Sequence, residues 1–110
     1  MQASPEKKEA EQPVEIAPVS ALPVGKSARV ELDGEQIALF NVDGYVYALA
    51  DECLHMGASL SEGTVARRTV ICPWHRRCYD LATGARVGRP GSPTRVYPVE
   101  IRDGWIVLYA

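Results

Sequence analysis

The sequence is poor in several residue types, and each shortage narrows the structures open to it. Its 110 residues include two histidines, three cysteines and one phenylalanine. Its apolar runs are only a few residues long, so none predicts a membrane span. No apolar stretch near the N-terminus resembles a signal peptide. No segment of ten or more residues keeps a helical hydrophobic period, which argues against long amphipathic helices.

Charge and cysteine content argue against a nucleic-acid-binding protein and against a disulfide-bonded protein of an oxidising compartment. The formal net charge is −2, and no basic stripe is interleaved with aromatic residues, so we expect no nucleic-acid partner. Three cysteines without a pairing framework are typical of a reducing compartment, and we expect a cytoplasmic protein. We also expect a monomer.

The length is that of one small domain. Residues 1–13 are charged and almost free of apolar side chains, which predicts a disordered N-terminal tail. Residues 14–110 then form the domain.

Repeated turn signals predict an all-β fold. Asp33-Gly34, Asp43-Gly44 and Asp103-Gly104 each separate two β-prone runs, which is the strongest short hairpin signal. We predict strands over residues 14–17, 28–32, 36–42, 45–50, 69–72, 96–102 and 105–109, with shorter ones at 64–66 and 78–81. Short antiparallel strands of this kind favour a β-sandwich or a pair of small barrels.

The most informative feature is a pair of mixed metal-ligand motifs. Cys53 and His55 form C-x-H, and Cys72 and His75 form C-x-x-H, with sixteen residues between His55 and Cys72. Two thiols and two imidazoles suit either a tetrahedral zinc ion or a [2Fe–2S] cluster in which two histidines replace two cysteines on one iron.

The order of the ligands favours iron and sulfur. Zinc fingers pair cysteine with cysteine and histidine with histidine across their short gaps. Here each short gap joins one cysteine to one histidine. Two such loops place both thiolates on one iron and both imidazoles on the other, an alternation that a single zinc ion does not need.

The chain resembles the Rieske ferredoxin family. The resemblance rests on the residues at 53–60, 62–63, 72–75, 79–84, 89–91, 96–99 and 103–107, and extends over roughly residues 14–110. It implies the Rieske fold, in which a cluster-binding subdomain, here about residues 52–91, is inserted into an antiparallel β-sandwich or small-barrel base domain.

The resemblance also implies a ligand set and its surroundings. Cys53, His55, Cys72 and His75 would bind one [2Fe–2S] cluster. Residues expected beside the cluster are Tyr79, Trp74, Pro90, Met56 and Gly57. Tyr79 either donates a hydrogen bond to the cluster or packs beneath its loop. The third cysteine, Cys78, lies outside the motifs, and we interpret it as a small residue in or beside a short strand.

The implied function is electron transfer rather than catalysis. The resemblance points to a one-electron carrier between a flavin-dependent reductase and a terminal oxygenase, with no catalytic residue of its own. The alternative is a small subunit of a larger oxidoreductase, such as a nitrite reductase, and a structural zinc module is a third possibility.

Charge is unevenly distributed along the chain. Residues 64–95 carry one acid and seven arginines, at positions 67, 68, 76, 77, 86, 89 and 95. They predict either a basic rim that meets an acidic partner or an ordinary solvated face.

Two family features are missing, and both bear on the reduction potential. Ala58 and Trp74 stand where higher-potential relatives have an additional cysteine pair, and Arg77 stands where those relatives have a serine. Both absences predict a reduction potential in the low part of the Rieske range.

Overall fold

The computed structural model describes residues 13–51, 59–73, 78–88 and 94–109. These residues form eleven strands and two 3₁₀ turns, Val19–Ala21 and Leu60–Glu62. The strands are β1 (Pro13–Pro18), β2 (Ser27–Leu32), β3 (Glu35–Val42), β4 (Tyr45–Ala50), β5 (Thr64–Ala66), β6 (Thr69–Ile71), β7 (Cys78–Asp80), β8 (Arg86–Val87), β9 (Val96–Tyr97), β10 (Val99–Arg102) and β11 (Trp105–Tyr109).

The strands form three antiparallel sheets, which confirms the predicted all-β class. The first sheet has the order β1-β11-β10, the second β2-β3-β4-β9 and the third β5-β6-β7-β8. Strands β4 and β9 are neighbours, although the third sheet lies between them in the sequence. The third sheet is therefore inserted into the second. The predicted limits of the inserted subdomain, 52 and 91, lie outside the described residues and stay a prediction.

Strand β3 forms a wall between two hydrophobic cores. Successive side chains of a strand point to opposite faces. Ile37 and Leu39 accordingly pack into a base core, whereas Ala38 and Phe40 pack into a second core. This double burial explains why residues 37–40 form an uninterrupted apolar run. The second core also contains Leu49, Leu60, Val70, Cys72, Tyr79 and Leu81.

The three Asp-Gly pairs form the tight hairpin turns that the sequence predicts. Asp33, Asp43 and Asp103 have φ between 53° and 55°, and the glycine that follows each has φ between 81° and 92°. Positive φ at both central residues is the geometry that suits the right-handed twist of the flanking strands. These turns set the register of the β2–β3, β3–β4 and β10–β11 pairs.

The prediction of one strand over residues 96–102 is wrong. Pro98 divides the segment into β9, which pairs with β4, and β10, which pairs with β11 in the first sheet. Proline has no backbone N–H to give to a ladder, so it suits the point where the chain passes from one sheet to another. Strand β8 and both 3₁₀ turns were not predicted.

At the N-terminus, β1 begins at Pro13, one residue before the predicted strand. The rest of the predicted tail lies outside the described residues. Among the described residues, no helix has the length and apolar character needed to cross a membrane.

Candidate metal centre

Cys72 is the predicted ligand that the described residues include. It follows β6, its side chain is 1% exposed, and it packs into the second core. Its thiol is not in a disulfide. The other predicted ligands, Cys53, His55 and His75, lie outside the described residues.

The β6–β7 hairpin presents Cys72 at the base of a loop. The last pair of the two strands is Ile71 with Cys78, so residues 72–77 connect them. These six residues contain Cys72 and the position of His75. Two hydrogen-bonded strands thus fix both ends of the second predicted ligand segment.

The ends of the first predicted ligand segment, residues 52–58, meet at one carboxylate. Asp51 follows β4, and its side chain is 1% exposed. It accepts a hydrogen bond from the Ser59 hydroxyl at 2.6 Å and another from the Ser61 N–H at 2.6 Å. Asp51 precedes the segment and Ser59 follows it, so these bonds join its two ends.

The end of a third segment, residues 89–93, is held by Gly84. The Thr94 N–H donates to the Gly84 carbonyl at 2.8 Å. Gly84 has φ +76°, and a Cβ there would lie 2.2 Å from the Thr94 carbonyl oxygen. Glycine is therefore required at this position. The buried Thr94 hydroxyl has no hydrogen-bond partner among the described residues.

Tyr79 and Cys78 lie on strand β7. Tyr79 is fully buried in the second core, which agrees with a ring packed beneath the ligand loop. Cys78 is half-buried and pairs with Ile71 and Val87, so it lies in a short strand as predicted. Trp74, Pro90, Met56 and Gly57, also predicted beside the cluster, lie outside the described residues.

The turn between β5 and β6 is basic. Arg67 has φ +57°, and both Arg67 and Arg68 are exposed. Arg68 lies 3.4 Å from the Asp80 carboxylate. Burial raises the pKa of Asp80, but the N–H groups of Thr83 and Ala82 together with Arg68 outweigh it and leave that pKa below its ordinary value.

A groove of about 520 Å³ is lined by residues that include Arg29, Asp51, Ser59 and Arg95. On its far wall the Tyr97 hydroxyl donates to Glu35 at 2.6 Å.

Arg95 lies beside the hydrogen bond between Tyr97 and Glu35 and contacts both residues. Arg95 lies 3.2 Å from the Glu35 carboxylate and 4.7 Å from the centre of the Tyr97 ring. Burial and the bond to Glu35 raise the pKa of Tyr97 to about 12.

The donor set fits an iron–sulfur cluster. Within the described ranges, no group of three histidine, cysteine, aspartate or glutamate side chains could hold a metal ion. Cys72 is not in a disulfide and is shielded from water, which suits a thiolate ligand of an inner iron. The other three donors come from the sequence motifs.

Sequence reasoning missed Asp51, Ser59 and the Gly84–Thr94 contact. Asp51 follows strand β4, two residues before Cys53, and nothing in a single sequence distinguishes it from a solvated acid. Its burial arises from contacts with residues eight and ten positions later. Gly84 could be identified from the sequence because it ends the 79–84 motif. The approach of Thr94 to Gly84 could not, because it is a tertiary contact.

Comparison with known proteins adds to this geometry. A family model described as the Rieske [2Fe-2S] domain matches residues 12–99. The 3-phenylpropionate/cinnamic acid dioxygenase ferredoxin subunit of Photorhabdus laumondii is 39% identical over 95 residues, which cover 84% of this chain and 90% of that protein.

Two solved structures are similar over most of their length. One is a complex of reduced oxygenase and oxidized ferredoxin in carbazole 1,9a-dioxygenase, with a TM-score of 0.80 at 31% identity, covering 87% of this chain and 91% of the matched chain. The other is a putative NADH-dependent nitrite reductase small subunit from Mycobacterium tuberculosis, with a TM-score of 0.84 at 28% identity, covering 91% and 96%.

Proposed function

The chain belongs to the Rieske [2Fe–2S] domain family, and we propose that it is a ferredoxin that carries single electrons from a flavin-dependent reductase to a terminal oxygenase. The observation that carries this proposal is the match to a dioxygenase ferredoxin subunit over 90% of that subunit's length. The match spans almost the whole of that ferredoxin subunit, so it compares this chain with a complete electron-transfer component and not with a part of a larger enzyme. The protein is an electron-transfer component, not an enzyme in itself.

Four residues would hold the cluster: Cys53, His55, Cys72 and His75. A [2Fe–2S] group supplies one-electron redox chemistry. The protein supplies the surroundings. The second core shields Cys72, and the β6–β7 pairing fixes the segment that carries Cys72 and His75.

We propose that the protein acts in the cytoplasm. Two of the three cysteines are assigned to the cluster, so the chain has no disulfide framework of its own, and such frameworks are typical of oxidising compartments.

A reconstituted electron-transfer assay tests the function. The purified protein is mixed with NADH, a flavin-dependent reductase and a Rieske-type oxygenase, and product formation by the oxygenase is measured. We expect turnover to depend on this protein and to rise with its concentration. Turnover that is the same without it would contradict the proposal.

The second candidate is a permanent subunit of a larger oxidoreductase, which the similarity to a nitrite reductase small subunit favours. The two differ in how long the protein stays with its partner. A freestanding carrier of 12.0 kDa elutes alone in size-exclusion chromatography of native extract. Co-elution with a large partner at low and high salt would favour the subunit.

A further inference from the structure

Asp51 is a buried carboxylate, and each of its two oxygens accepts a hydrogen bond. Its side chain is 1% exposed, and a buried carboxylate is costly unless donors surround it. One oxygen accepts from the Ser59 hydroxyl and the other from the Ser61 N–H, both at 2.6 Å. Hydrogen bonds to an ionised acceptor are short and about twice as strong as neutral ones.

The Ser59 side chain bonds to Asp51 and does not cap the turn that Ser59 precedes. It is the N-cap residue of the 3₁₀ turn Leu60–Glu62, where a serine side chain normally accepts a backbone N–H of the first turn. Here the Ser59 side chain makes no such bond. Asp51 accepts the Ser61 N–H in its place, so the turn is capped from the end of β4.

Neighbouring groups hold this arrangement on the protein surface and in the core. The Ser61 hydroxyl lies 2.9 Å from that of Ser59, and the Ser27 hydroxyl donates to the Ser61 carbonyl at 2.9 Å. Arg29 lies 3.8 Å from the Asp51 carboxylate. Leu60 is fully buried in the second core, which also contains Cys72.

We propose that Asp51, through Ser59 and Ser61, is a positioning residue for the first ligand segment, which it joins at both ends. Cys53 lies two residues after Asp51, and His55 lies four residues before Ser59. This role rests on the proposed function of Cys53 and His55 as cluster ligands. The Asp51 clamp sets how firmly that segment retains its iron and what potential the cluster has.

The experiment compares Ser59→Ala with Ser59→Thr in the holoprotein. Alanine removes the hydroxyl that donates to Asp51, whereas threonine keeps it. Glu35→Gln is the matched control, because Glu35 lines the same groove and bonds Tyr97 and Arg95 but none of the clamp residues. Three quantities are measured: the rate of iron release to a chelator, the reduction potential, and the unfolding midpoint of the apoprotein.

We expect Ser59→Ala to release iron about ten-fold faster or more, the factor that corresponds to ~1.4 kcal/mol, near the lower end of the range for a hydrogen bond to a charged group. Its reduction potential should move away from that of the wild type. Ser59→Thr and Glu35→Gln should stay within about two-fold of the wild-type rate, at the wild-type potential. Asp51→Asn, which removes the charge and one acceptor, should release iron faster than Ser59→Ala.

Two results would overturn the proposal. In one, Ser59→Ala lowers the unfolding midpoint but leaves the rate and the potential unchanged, which would make the contact merely structural. In the other, Ser59→Thr behaves like Ser59→Ala. A wild-type protein that binds no iron would contradict the proposed function itself, so the two failures are distinguishable.

Discussion

At the scale of single residues, the two described cysteines share one hairpin but differ in surroundings. Cys72 is 1% exposed at the end of β6 and belongs to the second core. Cys78 is half-buried in β7, beside its strand partners Ile71 and Val87. The first position suits a metal ligand shielded from water, and the second suits a strand residue.

The first prediction follows from this difference. Cys72→Ser should abolish the visible absorption of the cluster and reduce bound iron to a small fraction, because a thiolate ligand is lost. Cys78→Ser should keep wild-type iron content and lose at most about 1 kcal/mol of stability, since the two side chains are of similar size. Absorption spectra and iron analysis of both variants provide the measurement. Equal iron loss in the two variants would show that Cys78 also serves the cluster.

Tyr97 gives a second residue-scale prediction, on stability at alkaline pH. Its pKa is raised to about 12, whereas an unperturbed tyrosine has a value near 10. Its contribution to stability is therefore full below pH 10 and is lost as pH rises towards 12. Tyr97→Phe should remove this loss, which amounts to at most ~3 kcal/mol.

Urea unfolding at pH 9 and at pH 12 measures the effect. The wild type should lose more stability between the two values than Tyr97→Phe does. Tyr45→Phe is the control, because Tyr45 is 70% exposed, and it should behave as the wild type does. The same loss in Tyr97→Phe as in the wild type would refute the assignment.

At the scale of elements, the strands and turns follow closely from the sequence, and the errors have physical causes. The Asp-Gly pairs predict three hairpins because the turn geometry is local. The single strand over residues 96–102 was wrong because β9 and β10 join different sheets at Pro98. Sheet membership depends on distant partners, and local β-propensity carries no information about them.

The candidate site shows the same difference between features that are local in the sequence and features that depend on tertiary contacts. Ligand spacing is written in the sequence, so Cys72 and its motif could be identified from the letters alone. The hydrogen bonds of Asp51 and the approach of Thr94 to Gly84 arise only when the chain folds. Sequence patterns therefore propose the ligands, whereas the contacts on either side of the ligand segments are visible only in the folded chain.

The close contact between Gly84 and Thr94 leads to a prediction about stability. Gly84→Ala should destabilise the protein because its Cβ would meet the Thr94 carbonyl and because φ is +76°. Gly88→Ala is the matched control, with φ +87° and no atom of the described residues within 4 Å of the added Cβ. The control should cost about 1–2 kcal/mol from the backbone conformation alone. Gly84→Ala should cost about 1–3 kcal/mol more.

Thermal or denaturant unfolding of both variants decides this. Equal losses would mean that only the backbone conformation matters and that Thr94 moves away without cost. A larger loss in Gly84→Ala would show that this glycine holds the end of the third segment.

At the scale of the whole molecule, two sheets and the base core carry an inserted third sheet. Strands β4 and β9 pair directly, so the chain leaves the second sheet and returns to the adjacent position. The second core joins the insertion to β3 and β4. This shared core fixes Cys72 and strands β6 and β7 relative to β3 and β4.

The basic turn of the third sheet yields a prediction about the partner. Arg67→Glu should slow electron transfer from the reductase several-fold at low salt, because it reverses a charge on the sheet that bears Cys72. The effect should fade as salt rises, since exposed charges at 0.1 M are screened beyond roughly 10 Å. Stopped-flow reduction across a salt series is the measurement.

Arg102→Glu is the control for this change. Arg102 lies in β10 of the first sheet, and its replacement alters the net charge by the same amount. It should leave the rate near that of the wild type. Equal slowing by both variants would attribute the effect to net charge alone, not to docking near the third sheet.

We propose that two cysteines and two histidines hold one [2Fe–2S] cluster in this protein. Iron, zinc and sulfide analysis of the purified protein, joined to pulsed electron paramagnetic resonance of its reduced form, tests it most directly. We expect two irons and two sulfides per chain, with magnetic coupling to the nitrogens of two histidine ligands. One zinc per chain and no paramagnetic signal after anaerobic reconstitution would contradict it.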